Sequence, residues 1–163
     1  MAAVEPAQFR RAMGLIPTPV TVVTAGGSEG PAGATANAVS SLSLAPMLML
    51  ACLDRGSRTL LAVQAANSFG VNVLGAGQED LARAFSTKAP VAEKWDGVGW
   101  SDLAGVPALD GAIVRVSCEL QDVIAGGDHV IVTGAVRELE SDPGPALVFH
   151  DGVYRAIDLE SES

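Results

Sequence analysis

The sequence predicts a mainly β fold: an antiparallel β-barrel with a few flanking helices packed on its outside. Three observations carry that prediction. The apolar residues gather in about seven short runs of strand length. Turn signals of hairpin type join these runs in pairs, among them Gly126-Gly127-Asp128-His129 and Asp151-Gly152. No G-x-G-x-x-G follows a strand, so a doubly wound sheet with a dinucleotide site is not supported.

Taken in order, the chain opens with a helix from about Glu5 to Gly14. Pro6 suits a first turn, and Phe9 and Met13 share a face. Pro17 and Pro19 end it. Val20 to Thr24 reads as a strand, Gly26-Gly27-Ser28-Glu29-Gly30 as a turn, and Ala32 to Asn37 as the returning strand. Met47 to Asp54 alternates less cleanly and reads as buried on both faces. Ser57 is an N-cap for a helix from Arg58 to about Ala66, which Asn67 ends. Phe69 to Leu74 reads as a strand with Phe69, Val71 and Val73 on one face. A second short helix follows Gly77, with Glu79 and Asp80 in its favourable first turn. Leu81 and Phe85 lie i, i+4 on its inner side. Thr87 to Ala108 holds both tryptophans and is the least regular stretch, read as a mobile loop. Strands at Ala112 to Ile124 and Val130 to Leu139 flank the glycine-pair turn, and a last hairpin spans Leu147 to Ala156.

With 163 residues the chain fits one domain, its core running from about 9 to 157 and an acidic tail from Asp158 to Ser163. Hydrophobic residues make up 48% and charged residues 18%, enough apolar material for a sizeable core and too much for disorder. Aromatics are only 4%, so that core is built from Ala, Val and Leu. The 10 basic and 19 acidic residues give a net charge of -9, and no basic cluster exceeds Arg10-Arg11, which argues against a nucleic-acid partner. Any phosphate site must rely on local backbone N–H groups and one or two Lys or Arg side chains. Cys52 and Cys118 read as reduced, buried thiols. No basic start and apolar run precedes Phe9, and no apolar stretch reaches membrane-spanning length, so the expectation is a soluble cytoplasmic protein without a signal peptide.

The chemistry concentrates in Gly33 to Leu53. There the polar run Thr35-Ala36-Asn37 meets serines at Ser40, Ser41 and Ser43, then Pro46 and an apolar strand. Hydroxyls and amides between two apolar strands need partners, and a bound polar cofactor would supply them. Next, Asp54-Arg55-Gly56-Ser57-Arg58-Thr59 is a strand-to-helix turn. Free N–H groups at its helix start suit a phosphate, hydroxyls at Ser57 and Thr59 can join them, and Arg55 or Arg58 could add charge. Gly127-Asp128-His129 sets one of the 2 histidines at a hairpin, where Asp–His is also ordinary turn chemistry. His150 reads as surface. Cys52, Cys118, His129 and His150 show no zinc-ligand spacing, and no GxSxG elbow supports a serine hydrolase.

These motifs together resemble the flavin reductase-like family of split β-barrel proteins, the small NAD(P)H:flavin oxidoreductases that feed reduced flavin to two-component monooxygenases. The family pattern is roughly Thr-Ala-Asn-Ser, then Ser-Val-Ser, then Pro-Pro-Leu. Here it stands as Thr35-Ala36-Asn37-Ala38, Ser41-Leu42-Ser43 and Ala45-Pro46-Met47-Leu48. Ala38 and Ala45 depart from it, and the missing hydroxyl at position 38 would weaken one flavin contact. The resemblance runs from about Phe9 to Ile157. It implies an FMN-binding split β-barrel, antiparallel and Greek-key-like. It implies FMN or FAD as the flavin and NADH or NADPH as co-substrate. It also implies a homodimer with flavin near the subunit interface, and a separate monooxygenase that receives reduced flavin.

The resemblance carries residues with it. It implies that Thr35, Ala36 and Asn37 line the flavin, with Ser41 and Ser43 beside them and Cys52, Leu53 and Asp54 on the following strand. Ser57-Arg58-Thr59 matches the family's Ser-x-Thr near the flavin phosphate. Ala84-Phe85-Ser86 resembles its Phe-Ser, which sets Phe85 close to the ring. Glu93-Lys94-Trp95-Asp96-Gly97-Val98 resembles a charged–Lys–Phe–x–Gly–Val loop, and Lys88 or Lys94 is the candidate for a cofactor phosphate. By the same resemblance His129 faces the reduced nicotinamide, and Tyr154 stands at its edge. Hydride transfer needs no protein acid or base at the C–H bond, only nicotinamide C4 held against flavin N5. His129 is therefore catalytic by positioning. Two other readings use these residues: a flavin carrier without turnover, against which Gly127-Asp128-His129 argues, and a related split-barrel oxidoreductase with another substrate, which usually needs more basic residues.

Overall fold

In the computed structural model, which describes residues 3–28 and 30–158, helix α1 (Pro6–Gly14) starts on its proline as expected. None of its residues is buried, so the face shared by Phe9 and Met13 is uncovered. The chain then forms β1 (Thr18–Pro19), β2 (Thr21–Ala25), β3 (Ala32–Ala36), β4 (Val39–Leu44) and β5 (Met47–Asp54). Helix α2 (Arg58–Ala66) and β6 (Ser68–Val73) follow, then α3 (Glu79–Ser86), α4 (Val91–Trp95), β7 (Trp100–Leu103) and β8 (Val106–Leu109). The chain ends with β9 (Val114–Gly126), β10 (His129–Ser141), β11 (Ala146–His150) and β12 (Val153–Ile157).

The fold is mainly β, and every strand pairing is antiparallel. Seven strands pair in the order β3-β2-β6-β9-β10-β5-β4; β1-β11-β12 and β7-β8 make two smaller sheets. One core cluster lies where α2 meets the large sheet, through Leu60, Val63, Phe69, Val71 and Val132. A second joins Val20, Leu74, Phe85, Leu109 and Leu147 under α3. Local signals set the punctuation. Ser57 caps α2, and Asn67 ends it in the left-handed region at φ 52°. Asp151 and Gly152 both take positive φ (51° and 78°), as a two-residue type I′ hairpin turn requires.

Three expectations are corrected. First, Thr87 to Ala108 is ordered rather than a loop: it holds α4 and the β7–β8 hairpin. Buried Asn72 on β6 secures that hairpin, donating from Nδ2 to Pro107 O (3.4 Å) and accepting the Leu109 N–H on Oδ1 (2.8 Å). Thr24 Oγ1 donates to Pro107 O as well, at 2.6 Å. Second, the serine run forms its own strand, β4, at the edge of the large sheet. Third, β5 is not buried on both faces. Only Ala51 and Leu53 are buried, because β5 sits one strand from the edge, between β10 and β4. Residues 159–163 of the acidic tail lie outside the described residues.

Candidate active site

A cleft of about 630 Å³ opens between the ends of β3 and β5, the start of α2, and a wall formed by the end of α3 and by α4. Its size suits a ligand larger than a simple metabolite. The turn into α2 is built locally: Gly56 N–H donates to Asp54 Oδ1 (2.6 Å), and Thr59 N–H donates to Ser57 Oγ (3.1 Å). The remaining N–H groups of the first turn have no acceptor within the helix, which makes that end suited to an anion.

The opposite wall is aromatic and tightly packed. Phe85 and Trp95 meet edge to face, with centroids 5.0 Å apart. Gly33 makes that packing possible, since a Cβ there would lie 2.6 Å from the Phe85 ring. Thr35 Oγ1 donates to Ala82 O (2.7 Å), tying β3 to α3, so its hydroxyl can offer a ligand only lone pairs. Lys94 Nζ donates to Phe85 O at 3.3 Å. Burial first, and the Arg58 guanidinium second, hold the Lys94 ammonium below its ordinary pKa. Arg58 itself donates across the cleft to the carbonyls of Lys88 and Ala89. That leaves the exposed Lys88 as the cation of this wall whose side chain makes no hydrogen bond among the described residues. Trp95 Nε1 is buried and has no partner among the described residues.

His129 enters the cleft from the β9–β10 turn. Antiparallel register sets it opposite Asp54, beside the start of α2. Arg55 holds the turn there: its backbone N–H donates to Asp128 O (3.1 Å), and its Nε donates to His129 O (3.4 Å). The imidazole Nδ1 lies 2.8 Å from Asp128 Oδ1. The hydrogen bond to His129, and then its charge, hold the Asp128 carboxyl below the usual range. An ionised carboxylate only accepts, so Nδ1 carries the proton and Nε2 is left for a ligand.

The cleft brings together Thr35, Ala36, Asn37, Cys52, Leu53 and Asp54. It adds Ser57, Thr59, Phe85, Lys88 and His129. It does not include Ser41, Ser43 or Tyr154. Ser41 and Ser43 ride on edge strand β4, which a register shift between them offsets against β5. Tyr154 packs instead on Phe149 (5.2 Å), with the Arg83 guanidinium 4.8 Å over its ring. Gly33, Val91 and Trp95 are among the lining residues that the sequence reading does not assign to the site. The i, i+4 spacing of Val91 and Trp95 after Pro90 is a usable signal of a short helix with one half-buried side. Gly33 had no local signal, because its role depends on Phe85.

Residues 13–158 match the model of the flavin reductase like domain. The chain is 39% identical to the FMN reductase (NADH) RutF 2 of Rhizobium rhizogenes over 92% of its own length and 88% of that protein. It is 35% identical to the flavin-dependent monooxygenase reductase subunit HsaB of Mycobacterium tuberculosis, covering 98% of this chain and 86% of that one. Among solved structures, it superposes on the NADH:FAD oxidoreductase SgcE6 of Streptomyces globisporus, determined with NAD and FAD fragments. That match has a TM-score of 0.89 and 35% identity, and covers 99% of this chain and 100% of the other.

Proposed function

The chain belongs to the flavin reductase like domain family, and from that membership we propose that it is an NADH-dependent flavin reductase passing reduced FMN or FAD to a separate monooxygenase. One observation carries this reading: a single cleft gathers the Thr35–Asn37 strand end, the capped start of α2, an aromatic wall and His129. The residues fit a flavin. Asn37 and the backbone of small residues offer donors and acceptors for a ring, and the buried Trp95 Nε1 lacks a partner among the described residues. The α2 start with Ser57, Thr59 and Lys88 suits the phosphate.

When bound, flavin supplies the two-electron chemistry, accepting hydride from the dihydronicotinamide. The chain's own residues bind and orient. Phe85, Trp95 and Gly33 form a close wall for one side of the ring site. Asp128 and Arg55 hold His129 so that its Nε2 can hydrogen-bond the nicotinamide carboxamide, which offers both a donor and an acceptor, and keep the ring in attack position. His129 thus lowers the barrier by placement. Its expected substitution effect is on NADH turnover rather than on flavin affinity.

The Cys52 N–H donates to Ala38 O at 2.9 Å, bringing the chain after β3 to β5 and supporting closure of the large sheet into a split barrel. Residues 1–163 are read as one domain. The uncovered apolar side chains of α1 and of the β4–β5 hairpin, Leu44 at 89% exposure among them, support a homodimer. Both cysteines are free, which supports a reducing cytoplasmic setting. Among the described residues no helix is long and apolar enough to cross a membrane.

The test is NADH oxidation with and without FMN, FAD and riboflavin, paired with flavin binding by fluorescence quenching. Flavin-dependent oxidation is expected, with His129→Ala lowering kcat/KM for NADH by about tenfold to a hundredfold, about 1.4–2.7 kcal/mol. Flavin Kd should hold within a factor of about two, less than about 0.5 kcal/mol. Flavin binding without any NADH oxidation would sink the reductase reading.

A further inference from the structure

Arg58 is the first residue of α2 and stands beside Ser57, yet its guanidinium is directed away from its own helix. It donates to Lys88 O at 3.0 Å and to Ala89 O, 30 and 31 residues along the chain. Arg58 and Lys88 line the same cleft from opposite walls, so these bonds cross it at the end where Ser57 and Thr59 stand. Among the described residues, the other hydrogen bonds of 87–89 are local. Thr87 donates to Ala84 O through its N–H and its hydroxyl, and Ala89 N–H donates to Thr87 Oγ1. Among the described residues, only Arg58 holds this segment to α2 by hydrogen bonding. A charged donor shared by two carbonyls is a strong bond type for an exposed position.

The two sides that Arg58 joins have different chemistry. The α2 start is a phosphate cradle on the reading above, and this inference rests on that reading. FMN ends at one phosphate; FAD continues through a second phosphate into adenosine. A ligand extending from the cradle towards residues 88–89 would meet the Arg58 crossing. We propose that Arg58 straps residues 88–89 across the phosphate end of the flavin site and thereby favours FMN over FAD, which must displace the strap. Arg58 is in this role a positioning and specificity residue. It acts through the wall segment and not by contact with the reacting ring.

The experiment has two arms. In the flavin-free protein, deuterium exchange of the 85–95 segment is compared between wild type, Arg58→Ala and Arg58→Lys. Arg58→Ala should speed exchange there about tenfold, the equivalent of about 1.4 kcal/mol. In the second arm, Kd values for riboflavin, FMN and FAD are read by flavin fluorescence. The wild type should prefer FMN, and Arg58→Ala should shrink the FMN-to-FAD preference about tenfold. Arg58→Lys keeps the charge but loses the planar fork, so it should track Arg58→Ala rather than wild type. Unchanged exchange overturns the strap. Equal weakening of FMN and FAD with riboflavin untouched overturns it too, making Arg58 a direct phosphate ligand. If the wild type binds no flavin, the selectivity claim falls together with the flavin-site reading, and the exchange arm still reports whether Arg58 holds the wall. Circular dichroism melting of both variants separates these outcomes from a folding defect.

Discussion

Asp128 illustrates how one exposed carboxylate can organise a site. Its bond to His129 Nδ1, 2.8 Å long, sets which nitrogen the imidazole presents to the cleft. Its pKa lies below the ordinary carboxyl value, chiefly through that hydrogen bond. A carboxyl with a depressed folded pKa contributes stability above its unfolded value, and the contribution is lost as pH falls through the folded one. The orienting bond therefore persists at mildly acidic pH. Asp128→Asn should raise KM for NADH a few-fold and leave flavin Kd unchanged. Steady-state kinetics paired with a flavin titration checks the split; a loss confined to flavin binding would refute it. Cys118 shows the opposite case. Burial pushes its thiol up to about 12, from an ordinary 9.0. The folded state keeps the proton that the unfolded chain releases, so this contribution to stability is full below pH 9.0 and lost as pH rises towards 12. At mildly alkaline pH a thiol reagent should modify Cys118 only after denaturant is added, as a peptide map would show.

Among the elements, the β7–β8 hairpin depends most on a single side chain. Asn72 is buried at 1% exposure, and its amide joins β2, β6 and β8: Nδ2 donates to Val22 O and Pro107 O, and Oδ1 accepts from Leu109 N–H. Removing the amide strands the Leu109 N–H and loosens the hairpin over Gly70, where even a Cβ would strike Thr24 Oγ1. Asn72→Ala should cost about 2–4 kcal/mol in chemical denaturation, since several buried groups lose partners together. A loss below about 0.5 kcal/mol, the level of an ordinary surface change, would show that water replaces the amide. This network also explains why Thr87 to Ala108 reads as a loop in the sequence yet is ordered. The stretch lacks strong periodicity, and its order comes from Asn72 and Thr24, far back in the chain. Ser57, Asn67 and Asp151-Gly152 were legible because each acts on its immediate neighbours.

For the whole molecule, the unpartnered apolar surface is the main open feature. Phe9, Met13, Leu15 and Ile16 around α1, with Leu42, Leu44 and Met47 at the β4–β5 hairpin, are all at least 44% exposed. Large apolar side chains exposed on these two elements fit the proposed contact with a second copy. Leu44→Glu combined with Met47→Glu should halve the mass seen by light scattering at micromolar concentration while leaving the circular dichroism spectrum intact. A wild-type chain that is already monomeric would refute the homodimer. The net charge of -9 bears on the proposed flavin site. Anion binding there cannot draw on the overall field and depends on the few local cations.

By itself the sequence determined the mainly β class, the helix caps and the hairpin turns, because these follow from short-range hydrogen bonds, and its motifs, whose members lie close together, named half of the residues that line the cleft. Thr35 to Asn37, Ser57, Thr59 and His129 could be named without coordinates. The tertiary structure alone decided which of them share a cavity. It put Ser41 and Ser43 on an edge strand and engaged Tyr154 with Arg83. It also made Trp95 a wall and sent Arg58 across to residues 88–89. Each of those outcomes depends on pairing between residues distant in sequence, and a strand's neighbours, unlike its turns, are chosen by the packing of the whole chain.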